Sequence, residues 1–153
     1  MAFKRMRKAA LLAVVGMFVG GGVVFGQSEE GLYTEADIAR LEESFLALFM
    51  DSEFEQAFAL FRTAASALGE SEVDNLEAAT TRQLETITDS YGEPVDTVLV
   101  LRESAAGTLL RRTYVLRYRF LPLRARFVYY NNGEVWRLTY FGWDDSYADI
   151  LGE

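Results

Sequence analysis

The stretch RYRFLPLRARFVYYNNGEVWRLTY, residues 117–140, decides the fold because apolar and charged residues alternate along three successive segments. Alternation with a period of two is typical of strands that bury one face. Asn132-Gly133 predicts a two-residue hairpin turn, since this pair tolerates the positive φ angles of a type I′ turn. Leu121-Pro122 predicts a second tight turn. The stretch therefore predicts consecutive antiparallel strands.

These turns predict a register in which Tyr129 lies opposite Trp136 and Tyr118 lies opposite Ala125. One face is then apolar, and it holds Tyr114, Tyr118, Phe120, Phe127, Tyr129, Trp136 and Tyr140. The other face holds Phe141 and five arginines, with Arg119 beside Arg124, Arg117 beside Arg126, and Arg137 diagonal to the second pair. Like charges placed opposite each other destabilise a sheet, so these guanidinium groups need solvent or a partner.

The arginine face has three interpretations, unless the predicted register is wrong and the face does not form. Solvent screens the repulsion where the face is exposed. The chain can also neutralise itself, because residues 29–96 hold 17 acidic residues against three arginines, and residues 97–141 hold eight arginines against two acidic residues. Folding the helices or the Asp144-Asp145 segment over the sheet would bring these charges together. Recognition of an anion or an acidic partner is the third, less favoured interpretation, since guanidinium groups match carboxylate and phosphate geometry.

The aromatic face predicts either an ordinary core or a ligand pocket. A core is the simpler interpretation, because the predicted helices carry stripes of phenylalanine that need an apolar surface. Buried tyrosine hydroxyls usually find hydrogen-bond partners, so several of them could also form the polar patch of a pocket for an apolar ligand. The candidate pocket residues are Tyr114, Tyr118, Tyr129, Trp136 and Tyr140.

Three helices are predicted upstream of the sheet. Thr34, Ser52 and Ser71 each begin a capping-box pattern. Gly69 is expected to close the second helix, and the third is expected to stop near Tyr91-Gly92, before a proline.

Residues 95–102 predict the first strand, and Ser146 with Asp149 predicts a short C-terminal helix. Helices that precede a four-stranded antiparallel sheet predict an α+β fold. We expect one such domain over residues 34–153, after a flexible segment at 27–33.

The N-terminus matches a secretory signal peptide. Basic residues at positions 4, 5, 7 and 8 precede 17 uncharged residues, and Gly26 supplies a small residue at the cleavage site. An uncleaved anchor is the less favoured alternative, because 17 helical residues reach about 25 Å and the hydrocarbon core is roughly 30 Å thick. Cleavage near Gly26 predicts an exported protein, periplasmic or secreted, with membrane contact only if the segment is retained.

The mature chain is strongly acidic. The whole chain has a net charge of −8, and removal of the four N-terminal cations leaves −12. This charge argues against nucleic acid as a partner. The chain has no cysteine and no histidine, so disulfides, thiol chemistry and imidazole catalysis are excluded. Asp144, Asp145, Asp149 and Glu153 lack the spacing of a calcium loop, and we expect no metal and no cofactor.

The order of elements, the phrase DSEFEQAFALF and the closing Gly133-x-x-Trp136-x-Leu138 strand resemble the nuclear transport factor 2-like (cystatin-like) superfamily, specifically small exported bacterial proteins of uncharacterised function. The resemblance covers roughly residues 34–145. It implies a curved sheet that wraps the helices into a cone, a ligand or a catalytic Asp/Tyr pair at the mouth, and homodimers formed through the sheet. No catalytic motif of that superfamily matches residue by residue.

Three hypotheses follow. The first is an exported non-enzymatic module that binds an acidic partner or a small anionic or apolar ligand. The second is a small isomerase or lyase in which Tyr118, Tyr129 or Tyr140 polarises a substrate oxygen beside a carboxylate in an enclosed cavity. The third is a structural homodimer.

Overall fold

The computed structural model describes residues 31–64 and 66–152, so the predicted signal peptide lies outside the described residues. The helices are α1 (Glu35–Met50), α2 (Phe54–Thr63) and α3 (Glu70–Tyr91). The strands are β1 (Pro94–Ala105), β2 (Leu109–Tyr118), β3 (Pro122–Asn131) and β4 (Trp136–Asp144), and a 3-10 helix (Tyr147–Leu151) follows them. Helices packed on an open, curved antiparallel sheet confirm the predicted α+β fold.

The N-terminus of α1 is closed by the predicted capping box. The Asp37 backbone N–H donates to the Thr34 hydroxyl at 3.2 Å, and the Thr34 N–H donates to the Asp37 carboxylate at 2.7 Å. Both bonds satisfy backbone N–H groups. The Asp37 N–H is one of the donors that the first turn of a helix leaves without an intrahelical partner. The helix then buries Ile38, Phe45 and Phe49 against the sheet and α2.

The second predicted capping box does not form. α2 begins after Glu53 with no side-chain cap, because Ser52 lies in the turn that follows α1 and has a positive φ of 63°. Ser146 and Asp149 also form no capping box, since the Asp149 carboxylate binds Arg124 of β3.

The start of α3 differs from the prediction and its end agrees. The Gly69 carbonyl accepts the Val73 backbone N–H at 3.0 Å, so the helix begins one residue before the predicted box at Ser71. Gly69 therefore opens α3 and does not close α2. The helix ends at Tyr91, where Gly92 takes a φ of 77° that favours glycine.

The strand order is β1-β2-β3-β4, and the β2–β3 register differs from the predicted one. Arg117 pairs with Pro122, so the loop has four residues and the predicted two-residue turn is wrong. Leu116 consequently lies opposite Leu123. A shift of four residues keeps the residues of β2 and β3 on their predicted faces, but it moves Arg119 and Phe120 off the sheet into the loop.

The β3–β4 loop is also longer than predicted. Asn131 pairs with Trp136, which leaves four residues between them. The Asn132 side-chain oxygen accepts two backbone N–H groups of this loop, each at 3.0 Å, and closes a wider turn than the predicted type I′ hairpin. Tyr129 therefore pairs with Leu138 and not with Trp136.

A bulge in β4 reverses the alternation of its side chains. Thr139 is left unpaired between Leu138 and Tyr140, and its hydroxyl donates to the Val128 carbonyl at 3.1 Å. One extra residue moves all later side chains to the opposite face. Phe141 is therefore buried and Tyr140 is 43 % exposed. The predicted placements of both residues are wrong for this reason.

One face of the sheet, the inner face, packs under α1 and α2. The Phe45 ring stacks on Phe61 with centroids 4.3 Å apart and meets Phe127 edge-on at 5.7 Å. The Trp143 indole N–H donates to the Thr80 hydroxyl at 3.0 Å and joins β4 to α3. The opposite face, the outer face, is not covered by α1, α2 or α3.

The two edges of the sheet differ. Leu32, which falls in the predicted 27–33 segment, is buried and forms a single backbone bridge with β4, and Ser66 forms another. β1 is exposed for almost its whole length and has irregular pairing at Val95 and Val100. Bulges on an edge strand discourage pairing with another chain.

Candidate functional site

Strand alternation places four of the five predicted arginines on the outer face, namely Arg117, Arg124, Arg126 and Arg137. The predicted pairs of facing arginines do not occur. Val115 lies opposite Arg124 and Thr113 lies opposite Arg126, because the register is shifted by four residues. The direct repulsion expected from the sequence is therefore absent between these positions.

Aspartates of the C-terminal segment neutralise the two arginines of β3. Arg124 donates to both oxygens of Asp144, from Nε at 3.0 Å and from a terminal nitrogen at 2.9 Å. Arg126 donates to the same carboxylate at 3.1 Å, and Arg124 also donates to Asp149 at 3.1 Å. Arg124 is only 7 % exposed although it lies on the outer face. The segment after β4 thus covers part of this face.

The remaining arginines have fewer partners. Arg117 forms a bidentate pair with Asp96 of β1. The Arg119 guanidinium lies 5.7 Å from the Phe120 ring centroid. Within the described part of the chain, no ion pair is recorded for Arg119 or Arg137. The outer face is therefore not a row of free guanidinium groups.

The ion pairs keep their carboxylates charged. Hydrogen bonds from Arg117 lower the pKa of Asp96. Burial alone would raise the pKa of Asp144, but hydrogen bonds from Arg124 and the Ser146 backbone, with the arginine charges, lower it below its ordinary value. Both aspartates are thus ionised well below neutral pH.

Between the ion pairs, the outer face is largely apolar. The exposed or half-exposed apolar side chains of this face are Val98, Leu101, Leu109, Val115, Val128, Tyr130 and Tyr140. An antiparallel sheet with one solvated face usually carries polar side chains there. The exposed strip therefore resembles a contact surface more than an ordinary solvated face.

The five predicted pocket residues do not line one cavity. Tyr114, Tyr129 and Trp136 are buried in the core. Tyr118 is half-buried at one end of the sheet, where its ring meets Tyr91 edge-on at 6.2 Å. Tyr140 lies on the outer face because of the bulge, so the five side chains do not share one face of the sheet.

A polar cluster lies within the aromatic core. Glu42 of α1 is fully buried, and the Tyr114 hydroxyl donates to its Oε2 atom at 2.6 Å. The Arg112 Nε atom lies 3.1 Å from the same oxygen, and Tyr129 is buried beside the carboxyl. We call these four residues, Glu42, Arg112, Tyr114 and Tyr129, the Glu42 cluster.

Burial controls the protonation of the Glu42 cluster. It raises the pKa of the Glu42 carboxyl to about 7, although the Tyr114 hydrogen bond and the Arg112 charge act in the opposite direction. Burial, together with the neighbouring Glu42, also raises the pKa of Tyr114 and of Tyr129. Near neutral pH the core thus holds two neutral tyrosines and a carboxyl between its two protonation states.

Tyr114 and Tyr129 are among the predicted pocket residues, and the sequence also contains a signal for the two charged members of the cluster, which no predicted site includes. Glu42 follows Ile38 by four residues on the apolar face of α1, and Arg112 alternates with Leu110 and Tyr114 on the inner side of β2. A charged residue at an apolar position is costly unless it is paired. One such residue of each sign points to a buried ion pair.

The described surface grooves lie away from the Glu42 cluster. One of about 460 Å³ lies between α1 and α2 and is lined in part by Leu41 and Leu60, and one of about 350 Å³ lies between α1 and β1, beside Met50 and Thr97. Within the residues that the structure describes, no group of three or more side chains is suited to a metal ion. The described helices include none that is long and apolar enough to cross a membrane.

Comparisons with known proteins identify no relative. No protein-family model matches the chain, and no curated protein or solved structure matches it. The resemblance to the nuclear transport factor 2-like superfamily therefore stays a prediction that rests on the residues quoted above.

Proposed function

We propose that the chain is an exported, non-enzymatic interaction module of the nuclear transport factor 2-like type that pairs with a second copy of itself through the outer face. The observation that carries the proposal is the apolar strip between the ion pairs. Val98 is 37 %, Leu101 39 % and Tyr130 43 % exposed, on a face that α1–α3 leave uncovered. Burying this strip removes apolar surface from water, which favours association.

The size of the outer face fits a second copy. Strands of 9 to 12 residues, at roughly 3.3 Å per residue and about 4.8 Å between strands, give a face of about 600 Å². Stable interfaces bury roughly 800 Å² on each partner, so the contact would use the whole face together with side-chain surface at its margins. The same face on both copies also makes the contact self-complementary around a two-fold axis.

The internal ion pairs favour this partner over an acidic one. Arg117, Arg124 and Arg126 already bind aspartates of the chain, so an acidic partner would have to compete with Asp96 and Asp144. The dimer contact needs no such exchange. We therefore expect association that changes little with salt, whereas binding of an acidic partner weakens as salt screens the charges.

The test is the oligomeric state of the chain recovered from the exported fraction of its host, measured by sedimentation velocity. We expect a dimer whose dissociation constant rises at least tenfold in Val128→Lys, because a lysine beside Arg111 places unpaired charge in the contact. The matched control is Ala78→Lys on the exposed side of α3, which adds the same charge elsewhere.

A chain that stays monomeric at its highest soluble concentration contradicts the proposal. So does a dimer that survives Val128→Lys. If binding of another protein is instead abolished by Arg117→Gln, Arg126→Gln and Arg137→Gln together, the acidic-partner hypothesis replaces it. Intact mass measured on the exported chain tests the cleavage site, since a mature N-terminus at Gln27 supports export.

A second function, acid–base isomerisation, is favoured by one observation. Glu42 combines a raised pKa with a short hydrogen bond from Tyr114, the kind of pair that exchanges a proton beside a carbonyl group. The carboxyl is fully buried, so a substrate would need an opening between α1 and the sheet. The test is proton exchange of a panel of ketones in deuterated water. Exchange that is lost in Glu42→Gln supports this function, and exchange at the rate of buffer alone excludes it for those ketones.

A further inference from the structure

Three polar atoms in the core have no hydrogen bond among the described residues. They are Oε1 of Glu42, Nε of Arg112 and the hydroxyl of Tyr129, which lies near enough to the Glu42 carboxyl to lower its pKa without forming a hydrogen bond to it. Glu42 and Tyr129 are fully buried, and Arg112 is 9 % exposed. Buried polar groups nearly always have a partner, in the protein or in an ordered solvent molecule. Three unsatisfied atoms in one cluster are therefore an unusual concentration.

The two oxygens of Glu42 have different environments. Oε2 accepts the Tyr114 hydroxyl at 2.6 Å and lies 3.1 Å from Arg112 Nε. That guanidinium contact is close but is not aligned as a hydrogen bond, so the Arg112 N–H keeps its need for an acceptor. Oε1 has no hydrogen bond in the described residues. The carboxyl can thus accept a further hydrogen bond at Oε1. The same cluster holds an N–H and a hydroxyl that also have no hydrogen-bond partner in the described residues.

We propose that the Glu42 cluster is a binding site for one small hydrogen-bonding molecule of the size of water, held between Glu42 Oε1, the Tyr129 hydroxyl and Arg112 Nε. Such a molecule donates to Oε1, accepts from the Arg112 N–H and forms its third hydrogen bond with the Tyr129 hydroxyl. A buried water typically makes about three hydrogen bonds, which is the number that these atoms leave open. Water and a polar solute of equal size share this chemistry.

The surroundings limit the size of the occupant. Phe45 and Phe127 are fully buried in the same core, and the Phe127 ring packs edge-on against Tyr114 at 5.9 Å. The grooves between α1 and α2 and between α1 and β1 include no residue of the Glu42 cluster among their lining side chains. A larger ligand would have to displace aromatic rings, whereas a single small molecule needs only the space beside three polar atoms.

The experiment combines a crystal structure of the full chain at atomic resolution with magnetic relaxation dispersion of the solvent water. We expect a density peak at hydrogen-bond distance from both Glu42 Oε1 and the Tyr129 hydroxyl, and one long-lived internal water in solution. Native mass spectrometry distinguishes a bound solute from a bound water. A solute adds its own mass to the chain, whereas a water that exchanges with the buffer adds no distinct mass.

The variant that tests the site is Tyr129→Phe, which deletes one of its three contacts. We expect it to lose the density peak and the long-lived water signal. The matched control is Tyr114→Phe, which deletes a hydroxyl that already has its partner, and it should keep both signals while lowering the melting temperature more than Tyr129→Phe does.

Two results would overturn the proposal. One is a wild-type structure in which the Tyr129 hydroxyl bonds directly to Glu42 and no density peak is present. The other is a Tyr129→Phe chain that keeps the molecule at full occupancy. If either variant fails to fold, the wild-type density and the wild-type relaxation signal still decide the question.

Discussion

The inner and outer faces of the sheet hold their arginines in different ways. On the outer face, Arg124 is as buried as Arg112, but it has three hydrogen bonds to Asp144 and Asp149, whose side chains are partly exposed. On the inner face, Arg112 has one misaligned contact with Glu42, whose carboxyl is near its midpoint of protonation at neutral pH. The two arginines thus differ in their acidic partners, because the outer carboxylates reach solvent and the Glu42 carboxyl does not. The difference teaches that the burial of the acid, more than that of the arginine, sets the effect of losing a partner.

The largest expected effect comes from removing the carboxyl on the inner face. Glu42→Ala should lower the free energy of unfolding by about 3–5 kcal/mol, because it leaves Arg112 in the core without a counter-charge, and arginine cannot lose its proton. Urea denaturation measures the change. The matched control is Glu43→Ala, one residue further on the exposed side of α1. Equal losses in the two variants would contradict the contrast between the faces.

A slightly smaller effect is expected from pH. Burial raises the pKa of Glu42 from 4.5 to about 7, so the folded chain binds more protons than the unfolded chain between these values. The stability supplied by the protonated carboxyl is complete below the unfolded pKa and is lost as pH rises through about 7. The loss is about 3 kcal/mol.

Unfolding curves recorded between about pH 5 and pH 8 measure this loss. The outer pairs do not interfere, because the pKa values of Asp96 and Asp144 are lowered and their contribution is lost only at more acidic pH. Glu42→Gln should remove the dependence in this range. A wild-type stability that rises with pH over the same range would show that Glu42 is ionised in the folded chain.

A moderate effect is expected on the outer face at Asp144. Asp144→Asn should lower the free energy of unfolding by about 1 kcal/mol, since it weakens the contacts of Arg124 and Arg126 while Arg124 keeps Asp149 and Arg126 is partly exposed to solvent. Thermal unfolding at low and high salt measures the change, which should shrink at high salt. A loss as large as that of Glu42→Ala would erase the difference between the faces.

The smallest effect is expected at the exposed end of the outer face. Arg117→Gln should leave the unfolding transition where it is, because Arg117 and its partner Asp96 are both about half exposed. The same thermal melts measure it. A clear shift of the transition would show that this pair is shielded from solvent, for example by the second copy proposed above.

The sequence predicted most of the layer structure but not the spacing between strands. Period-two alternation locates β2 and β3, although β2 ends at Tyr118 and not at Phe120 as its pattern predicts, and the Thr34 capping box marks the start of α1 as found. Loop length escaped prediction because Asn132 closes its turn through its side chain, an outcome that a dipeptide pattern does not distinguish from a type I′ turn. A shift by an even number of residues preserves each face, so the alternation alone does not reveal the error.

The two charged residues of the Glu42 cluster were missed for a different reason. Glu42 and Arg112 are 70 residues apart, on α1 and β2, and each of them looks like an isolated irregularity in its own element. Only the packing of α1 on the inner face joins them. The bulge at Thr139 is likewise a property of the assembled sheet, because Val128 of the neighbouring strand supplies the bond that holds it.

The bulge at Thr139 has a consequence for tracing the ancestry of this chain. Ahead of it, Trp136 and Leu138 are the core positions of β4, and beyond it the core positions are Phe141 and Trp143. A homologue with a regular strand would be one residue shorter at this point. An ungapped alignment would then match its buried positions to exposed ones from Tyr140 onward, and the two proteins would look less alike than they are.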